Sequence, residues 1–389
     1  MRIMVSLEHH FVRTPQGVFT DLAFGYDYWR EILEVFDEVL VLARVKKADK
    51  LADGMFRADG EGVAFIDLYD YRGLLSLICT WPFVLWQIKR ATVKTDRFLL
   101  MSGQVSVLLW FWLRLMKRPY AMGFVGRTVE AISAEGSGLF RHLYKLLGRV
   151  SEWVWKIQAR RASQASYTSE FLRQCYPTSE GEKEFVFSGV RITDDVLTAP
   201  RDAGAFSQRP FVMVSVGRLE LQKGHAWLVE SAAELASKTD LPEWKMNILG
   251  PGTQIPVLKR RVKKLGLEYK VNIVGAVGWG YELFQYLDRA HLFVLPSFTE
   301  GLPRSLVEAM ARGLPAIGAN TGGIPELLDK QCLVEIGDVK GLAGRIADFM
   351  TKPNSLAEMS AKNFERALNF RVEITKNRKL AFWRSILNG

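Results

Sequence analysis

Short apolar runs that stop at glycine, serine or proline recur along the whole chain, separated by longer stretches of helical period. The first half carries "IMVSL", "VLVLARV", "VAFIDL", "FLLMSG", "YAMGFVG" and "ASYTS". The second carries "FVMVSVG", "KMNILG", "VNIVGAV", "HLFVLPS", "PAIGAN" and "CLVEI". Continuous rather than alternating apolar runs suit strands buried on both faces, and helices between them make such strands parallel. The fold class predicted is therefore α/β, with two Rossmann-like doubly wound units. A chain of 389 residues is about twice the common domain size, which leaves room for both. Apolar periodicity stops and turn residues gather between Gly189 and Pro210, so the seam is expected there. Residues 1–195 are read as the first unit and 196–373 as the second, with a C-terminal helix over 374–389 as a candidate to rejoin the first. Ligands of such sheets bind at the carboxyl ends of the strands, so two facing units imply a cleft between them.

Lysine and arginine total 52 against 42 acidic residues, a formal net charge of +10, which favours an anionic partner. Cys79, Cys175 and Cys332 are far apart and form no C-x-x-C pair, so neither a disulfide framework nor a zinc site is expected. No D-x-D triplet occurs and the five histidines show no ligand spacing, so phosphate binding is expected to need no metal. "MRIMVSLEHH" reaches Glu8 too early for the apolar core of a signal peptide and reads as a strand, consistent with a cytoplasmic location. "LLSLICTWPFVLWQI" and "VSVLLWFWLRLM" are shorter than the ~18 apolar residues of a membrane span and are broken by Pro82 and Arg114. They are read as buried or interfacial helices.

Chemistry concentrates in the second half. After the strand "HLFVLPS" comes the loop "FTEG", then a helical run from about Pro303 to Arg312 closed by Gly313. Glu300 precedes that helix and Glu308 lies inside it, on either side of an N-terminus whose free N–H groups and dipole attract phosphate. A ligand with hydroxyls at both ends and a diphosphate in the middle would use both carboxylates and the helix start. A nucleotide-sugar has that form. Taken alone, two solvated surface glutamates are the better reading. The balance moves with "VSVGRLELQKGH", where Arg218 offers a planar fork and Lys223 a mobile charge near a strand end, suited to hold a leaving diphosphate. "LGPGTQIP" adds Gly250 after another strand but lacks the third glycine of a dinucleotide fingerprint.

The block "GRLELQKG", "LGPG", "VNIVGAV" and "DRAHLFVLPSFTEGLPRSLVEAMARGLPAIGANTGGIPELL", from Val214 to Leu328, resembles the donor half of glycosyltransferase family 4, whose fold is GT-B. The resemblance implies retaining transfer from a nucleotide-sugar, UDP- or GDP-linked, with no further cofactor. It matches Glu300 to the glutamate that contacts the donor sugar and Glu308 to the one on the ribose. Arg218 and Lys223 match the diphosphate pair. Gly301 and Leu302 match backbone near the sugar-phosphate, and Val277 lies in the loop that meets the base. In the first half the likeness is thinner. Gly17 stands where many members have paired glycines near the diphosphate, and "YAMGFVGRT" lacks their sugar-contacting histidine. Arg127, Thr128, Glu130 and His10 are candidates on the acceptor side.

Two basic runs remain. "LKRRVKKLG" is the outer face of a crossover helix. "RHLYKLLGRVSEWVWKIQARRAS" mixes six cations with Tyr144, Trp153 and Trp155, which suits either an interfacial helix on anionic lipid or a core helix with a basic outer side. No nucleic-acid module accompanies the charge. The sequence thus points to a hexosyl transferase acting on a saccharide or lipid-linked acceptor, peripheral at an anionic membrane surface. A sugar-nucleotide epimerase or phosphorylase of the same fold, and a non-catalytic lipid- or nucleic-acid-binding module, stay open as alternatives.

Overall fold

The computed structural model describes residues 1–21, 24–51, 54–71, 73–93, 95–127, 141–179 and 181–389, and among these leaves aside the side chains of 73–79, 141–145 and 182. The first unit runs β1 (Arg2–Thr14), β2 (Gly17–Thr20), α1 (Tyr26–Leu33), β3 (Glu38–Lys47), β4 (Phe56–Arg57), β5 (Val63–Leu68) and α2 (Gly73–Thr92). It continues through β6 (Arg97–Met101), α3 (Gln104–Leu115), β7 (Ala121–Phe124), α4 (Arg141–Arg161), β8 (Gln164–Tyr167), α5 (Glu170–Cys175) and β9 (Glu184–Val186). The second opens with α6 (Ala203–Phe206), β10 (Phe211–Val216), α7 (His225–Ala236), β11 (Trp244–Leu249), α8 (Ile255–Lys264), β12 (Val271–Gly275) and α9 (Tyr281–Arg289). Then follow β13 (Leu292–Leu295), α10 (Arg304–Ala311), β14 (Ala316–Ala319), β15 (Leu333–Val334), α11 (Val339–Met350), α12 (Pro353–Leu368) and α13 (Val372–Asn388).

Each predicted parallel strand is present. The second sheet is ordered β12-β11-β10-β13-β14-β15, all parallel, so in chain order its strands lie 3-2-1-4-5-6. The parallel strands of the first sheet repeat that order as β5-β3-β1-β6-β7-β8, with β9 added at the edge. Alternate residues of one strand feed opposite layers: Phe98 and Leu100 of β6 join the core under α2, α3 and α4, while Leu99 and Met101 join the core under α1 and α13. An unpredicted hairpin departs from the doubly wound plan. β1 runs on past its pairing with β6, still beside β3, and turns at Thr14–Gly17 into β2, which pairs with β4.

Two strands of chain cross between the units and touch. Ile192 N–H donates to the Phe370 carbonyl at 3.3 Å and Val372 N–H donates to the Ile192 carbonyl at 3.1 Å. α13 then packs on the first unit, with the Phe382 ring 5.5 Å from Phe185 and 5.7 Å from Phe187. Lys379 reaches Glu31 at 2.8 Å and Lys376 reaches Glu34 at 2.8 Å.

The core reading of the aromatic basic helix holds along one side of it. Trp153 is 64% exposed, but Trp155 is 1% exposed and belongs to the core, which corrects the expectation that both rings face a membrane. Trp155 shares its stripe with Gln158 and Ala159, one helical turn on and equally buried. The α8 cations stand outward as expected, over buried Leu258 and Val262. No described helix is long and apolar enough to cross a membrane.

Candidate functional site

In the second sheet β10 and β13 lie side by side at the centre, and the chain leaves them in opposite directions, which opens a crevice at their carboxyl ends. Arg218 and Lys223 follow β10, and Glu300 follows β13. Backbone hydrogen bonds fix the surrounding loops: Gly217 N–H to the Leu249 carbonyl at 3.0 Å, Leu219 N–H to Pro251 at 2.7 Å, Gly250 N–H to Gly275 at 2.7 Å and Phe298 N–H to Gln222 at 2.9 Å. Gly250 sits at φ +135°, and a Cβ there would collide with the Gly217 carbonyl. Its glycine identity is therefore explained by the close approach of two loops, without any ligand.

The side chains of the two loops meet. Glu300 is only 9% exposed, and its Oε1 accepts from Lys223 Nζ at 2.6 Å and from Ser297 Oγ at 2.6 Å. A carboxylate so removed from water needs such partners, because a lone buried charge is strongly disfavoured. Arg218 is exposed and makes no ion pair among the described residues. His225, just past Lys223, is buried, and its pKa is pushed down to about 3 by burial and then by the Lys223 charge. The ring there is neutral.

α10 begins after Pro303, which stands at the cap. Ser305 Oγ donates to the Val216 carbonyl at 2.8 Å and ties the helix start to the end of β10. As at any helix start, the first N–H groups have no carbonyl one turn back and face the crevice as a partial positive charge. Glu308, the fifth residue of α10, accepts from Trp279 Nε1 at 3.1 Å. Burial raises its carboxyl above the usual range, against the opposing pull of the Trp279 hydrogen bond and the Arg304 charge. Val277 lies two residues before that tryptophan, partly buried against the core.

Across the cleft the first unit closes on these loops. A Cβ on Gly301 would strike the Val125 carbonyl after β7. Leu302 lines a cavity of ≈ 360 Å³ with Phe124, Tyr167, Arg304, Lys379 and Trp383. Arg127 bonds Glu152 at 2.8 Å, lies 5.9 Å from the Phe171 ring and lines a second opening with Phe298 and Thr299. Glu326 reaches back over the cleft and accepts the N–H groups of Glu170 at 3.0 Å and Phe171 at 2.6 Å, capping α5.

The remaining described candidates have partners within the first unit. His10 Nδ1 is bound to Asp70 at 2.6 Å, and its neighbour His9 bonds Thr20 at 2.7 Å. Gly17 lies in the β1–β2 hairpin, facing Asp59 and Arg57 rather than the crevice loops. Thr128 and Glu130 lie outside the described residues. Sequence reasoning missed Ser297, Trp279 and Glu326. Only Ser297 had a signal, its place directly at the end of "HLFVLPS". Among the described residues no group of three or more His, Cys, Asp or Glu is placed to hold a metal ion.

Residues 199–366 match the family model of glycosyl transferases group 1. Protein CapJ of Staphylococcus aureus is 24% identical over 375 residues, 94% of this chain and 92% of its own length. The putative colanic acid biosynthesis glycosyltransferase WcaL of Salmonella typhimurium is 34% identical over 149 residues, and those span 36% of each chain. HepE of Anabaena, solved in complex with UDP, superimposes with a TM-score of 0.66 at 18% identity over 98% of both chains, a likeness of fold. The matched region contains β10 through β15 with both crevice loops, so this part of the chain is similar to the glycosyl transferases group 1, and the fold of the whole chain is GT-B.

Proposed function

We propose that the protein is a retaining glycosyltransferase that moves a hexosyl group from a UDP- or GDP-sugar to a hydroxyl of a lipid-linked or growing polysaccharide, without a metal ion. The observation that carries this reading is the Lys223–Glu300 pair at the switch point of the second sheet, where two loops from neighbouring strands converge on one buried carboxylate. A metal-free site must supply positive charge to a diphosphate from the chain itself. Arg218, Lys223 and the α10 N-terminus do so, and being held in place beforehand they stabilise the charge that develops as the diphosphate leaves.

Lys223 Nζ is paired with Glu300 Oε1. A bound diphosphate would draw the ammonium toward it and free Glu300 to accept from a sugar hydroxyl, with Ser297 still holding the carboxylate. Glu308 would take the ribose hydroxyls, sharing its carboxylate with the Trp279 indole. The bond from the anomeric carbon to the diphosphate oxygen breaks, and the acceptor oxygen bonds to the same carbon from the same face. Its proton passes to the leaving oxygen. The UDP bound to HepE and the polysaccharide pathway in the name of WcaL favour the donor and acceptor classes. On this reading the enzyme works in the cytoplasm, peripherally on the inner face of the membrane.

The test is donor consumption over a panel of UDP-, GDP- and ADP-sugars with a saccharide acceptor, and the anomeric configuration of the product by NMR. One donor is expected to yield nucleoside diphosphate and a product of unchanged configuration. No turnover of any donor, or inversion, contradicts the proposal.

A further inference from the structure

The helices α2, α3 and α4 cover one face of the first sheet, and their inner sides join one core through Val84 and Ile88, Leu109 and Leu113, and Trp155 and Ala159. A helix that faces water on its other side carries polar residues there. These three do not. α2 exposes Trp81, Phe83 and Trp86, the first at 47%, and Phe83 and Trp86 stack on each other with ring centroids 6.0 Å apart. α3 exposes Phe111 and Leu115, one turn apart. α4 exposes Leu146, Val150 and Trp153, a spacing that sets them in one stripe.

The charge around these rings has one sign. Lys89 and Arg90 end α2, Arg114 and Lys117 lie at the end of α3, and Arg149 and Lys156 stand exposed on α4. Arg90 lies 4.8 Å over the Trp86 ring, so a cation and an exposed aromatic share one spot. α2 and α3 contain no aspartate or glutamate. The single acid of α4, Glu152, is held by Arg127 at 2.8 Å. Exposed aromatics mixed with cations and without free acids fit the headgroup layer of a bilayer, where rings sit at the apolar boundary and ammonium and guanidinium groups reach lipid phosphate. With no described helix able to span, the contact is a surface one.

We propose that the outer faces of α2, α3 and α4 form one docking surface for anionic phospholipid bilayers. It deepens the proposed function by naming the surface that meets the membrane of a lipid-linked acceptor, yet the face is argued from its own residues. Neither the crevice nor its loops take part, so docking and turnover can be separated.

The experiment is co-sedimentation of the full chain with phosphatidylcholine vesicles, with and without phosphatidylglycerol. The wild type is expected to sediment with the anionic vesicles, to stay in solution with the neutral ones and to be released by salt. Replacing Lys89 and Arg90 by glutamine should weaken binding by about fivefold per cation. Trp86→Ser and Trp153→Ser should each weaken it by a similar factor with the charge intact, and the two variants together by more. Circular dichroism and donor turnover on a soluble acceptor are read on the same preparations and should match the wild type. Absence of sedimentation with anionic vesicles at low salt, equal binding to neutral ones, or folded tryptophan variants that bind like the wild type overturns the docking surface. Each of those results leaves the donor reading intact, because turnover on the soluble acceptor reports on it independently.

Discussion

The two sheets share a strand order and differ in how their carboxyl edges are built. The second edge is closed by main chain, with the loops after β10, β11 and β12 joined by hydrogen bonds through Gly217, Leu219 and Gly250. At the first edge the main-chain bonds stop where the strands end, from Ser102 N–H to Gly123, Thr168 N–H to Phe124 and Phe187 N–H to Tyr167, and beyond them the edge is held by side chains distant in sequence. Glu8 accepts from Val105 N–H at 2.8 Å and from Tyr71 Oη at 2.9 Å, His10 pairs with Asp70, and Arg127 pairs with Glu152. On the proposed function, loops joined by main chain would fix a few charged groups for donor chemistry, and an edge held by side chains could be rebuilt one residue at a time for different acceptors.

The strongest way to break this contrast is by kinetics. Arg218→Ala or Lys223→Ala should lower donor turnover by about 100-fold, the usual loss of one preorganised charge at a leaving group. Arg127→Ala, on the opposite edge, should cost about tenfold or less and act mainly on acceptor KM. A reversed order would assign the chemistry to the wrong sheet. Next come the glycines. Gly250→Ala forces a Cβ against the fixed Gly217 carbonyl at φ +135° and should cost about 2 kcal/mol in urea unfolding. At Gly17 the Cβ meets the movable Asp59 carboxylate instead, so the alanine there should cost less. Equal losses would remove the distinction between a main-chain and a side-chain edge.

Two smaller effects depend on pH. His225 is neutral when folded down to about pH 3, while in the unfolded chain it protonates near its ordinary value of 6.5. The unfolded state therefore binds more protons between those values, and stability present above 6.5 is lost as pH falls below it. His225→Leu should flatten the loss between pH 7 and 5 by about 2 kcal/mol in unfolding free energy. Glu308 has the opposite sense. Its raised carboxyl binds a proton more tightly folded than unfolded, so its contribution is favourable in acid and is lost as pH rises. Glu308→Gln should melt slightly above the wild type at neutral pH without ligand, with the gap closing in acid, while nucleotide affinity drops. An unchanged affinity would remove Glu308 from the ribose.

The contrast also explains what the sequence disclosed. Strands buried on both faces announce themselves as apolar runs, so the parallel core of both sheets was legible residue by residue. Lys223 and Glu300 were legible as residue types beside strand ends, but their direct bond joins positions 77 apart and follows only from the strand order. Trp279 is 61% exposed and reaches Glu308 by a loop geometry that no local pattern encodes. The pairing of β2 with β1 and β4 was missed because β2 and β4 are four and two residues long, too short for any period to show. Trp155 was readable in principle, since Gln158 and Ala159 complete its buried stripe, but composition drew attention to the ring and away from its phase.

The central claim is that the crevice between β10 and β13 seats a nucleoside diphosphate through Arg218 and Lys223. Calorimetric titration of UDP, GDP and ADP, each beside its nucleoside, into the wild type and the Arg218→Ala/Lys223→Ala double variant measures this directly. The account predicts that one diphosphate binds the wild type about 100-fold more tightly than its nucleoside, and that the double variant loses most of that preference while keeping nucleoside affinity. A preference that survives in the double variant, or no diphosphate binding to the wild type at all, would contradict it.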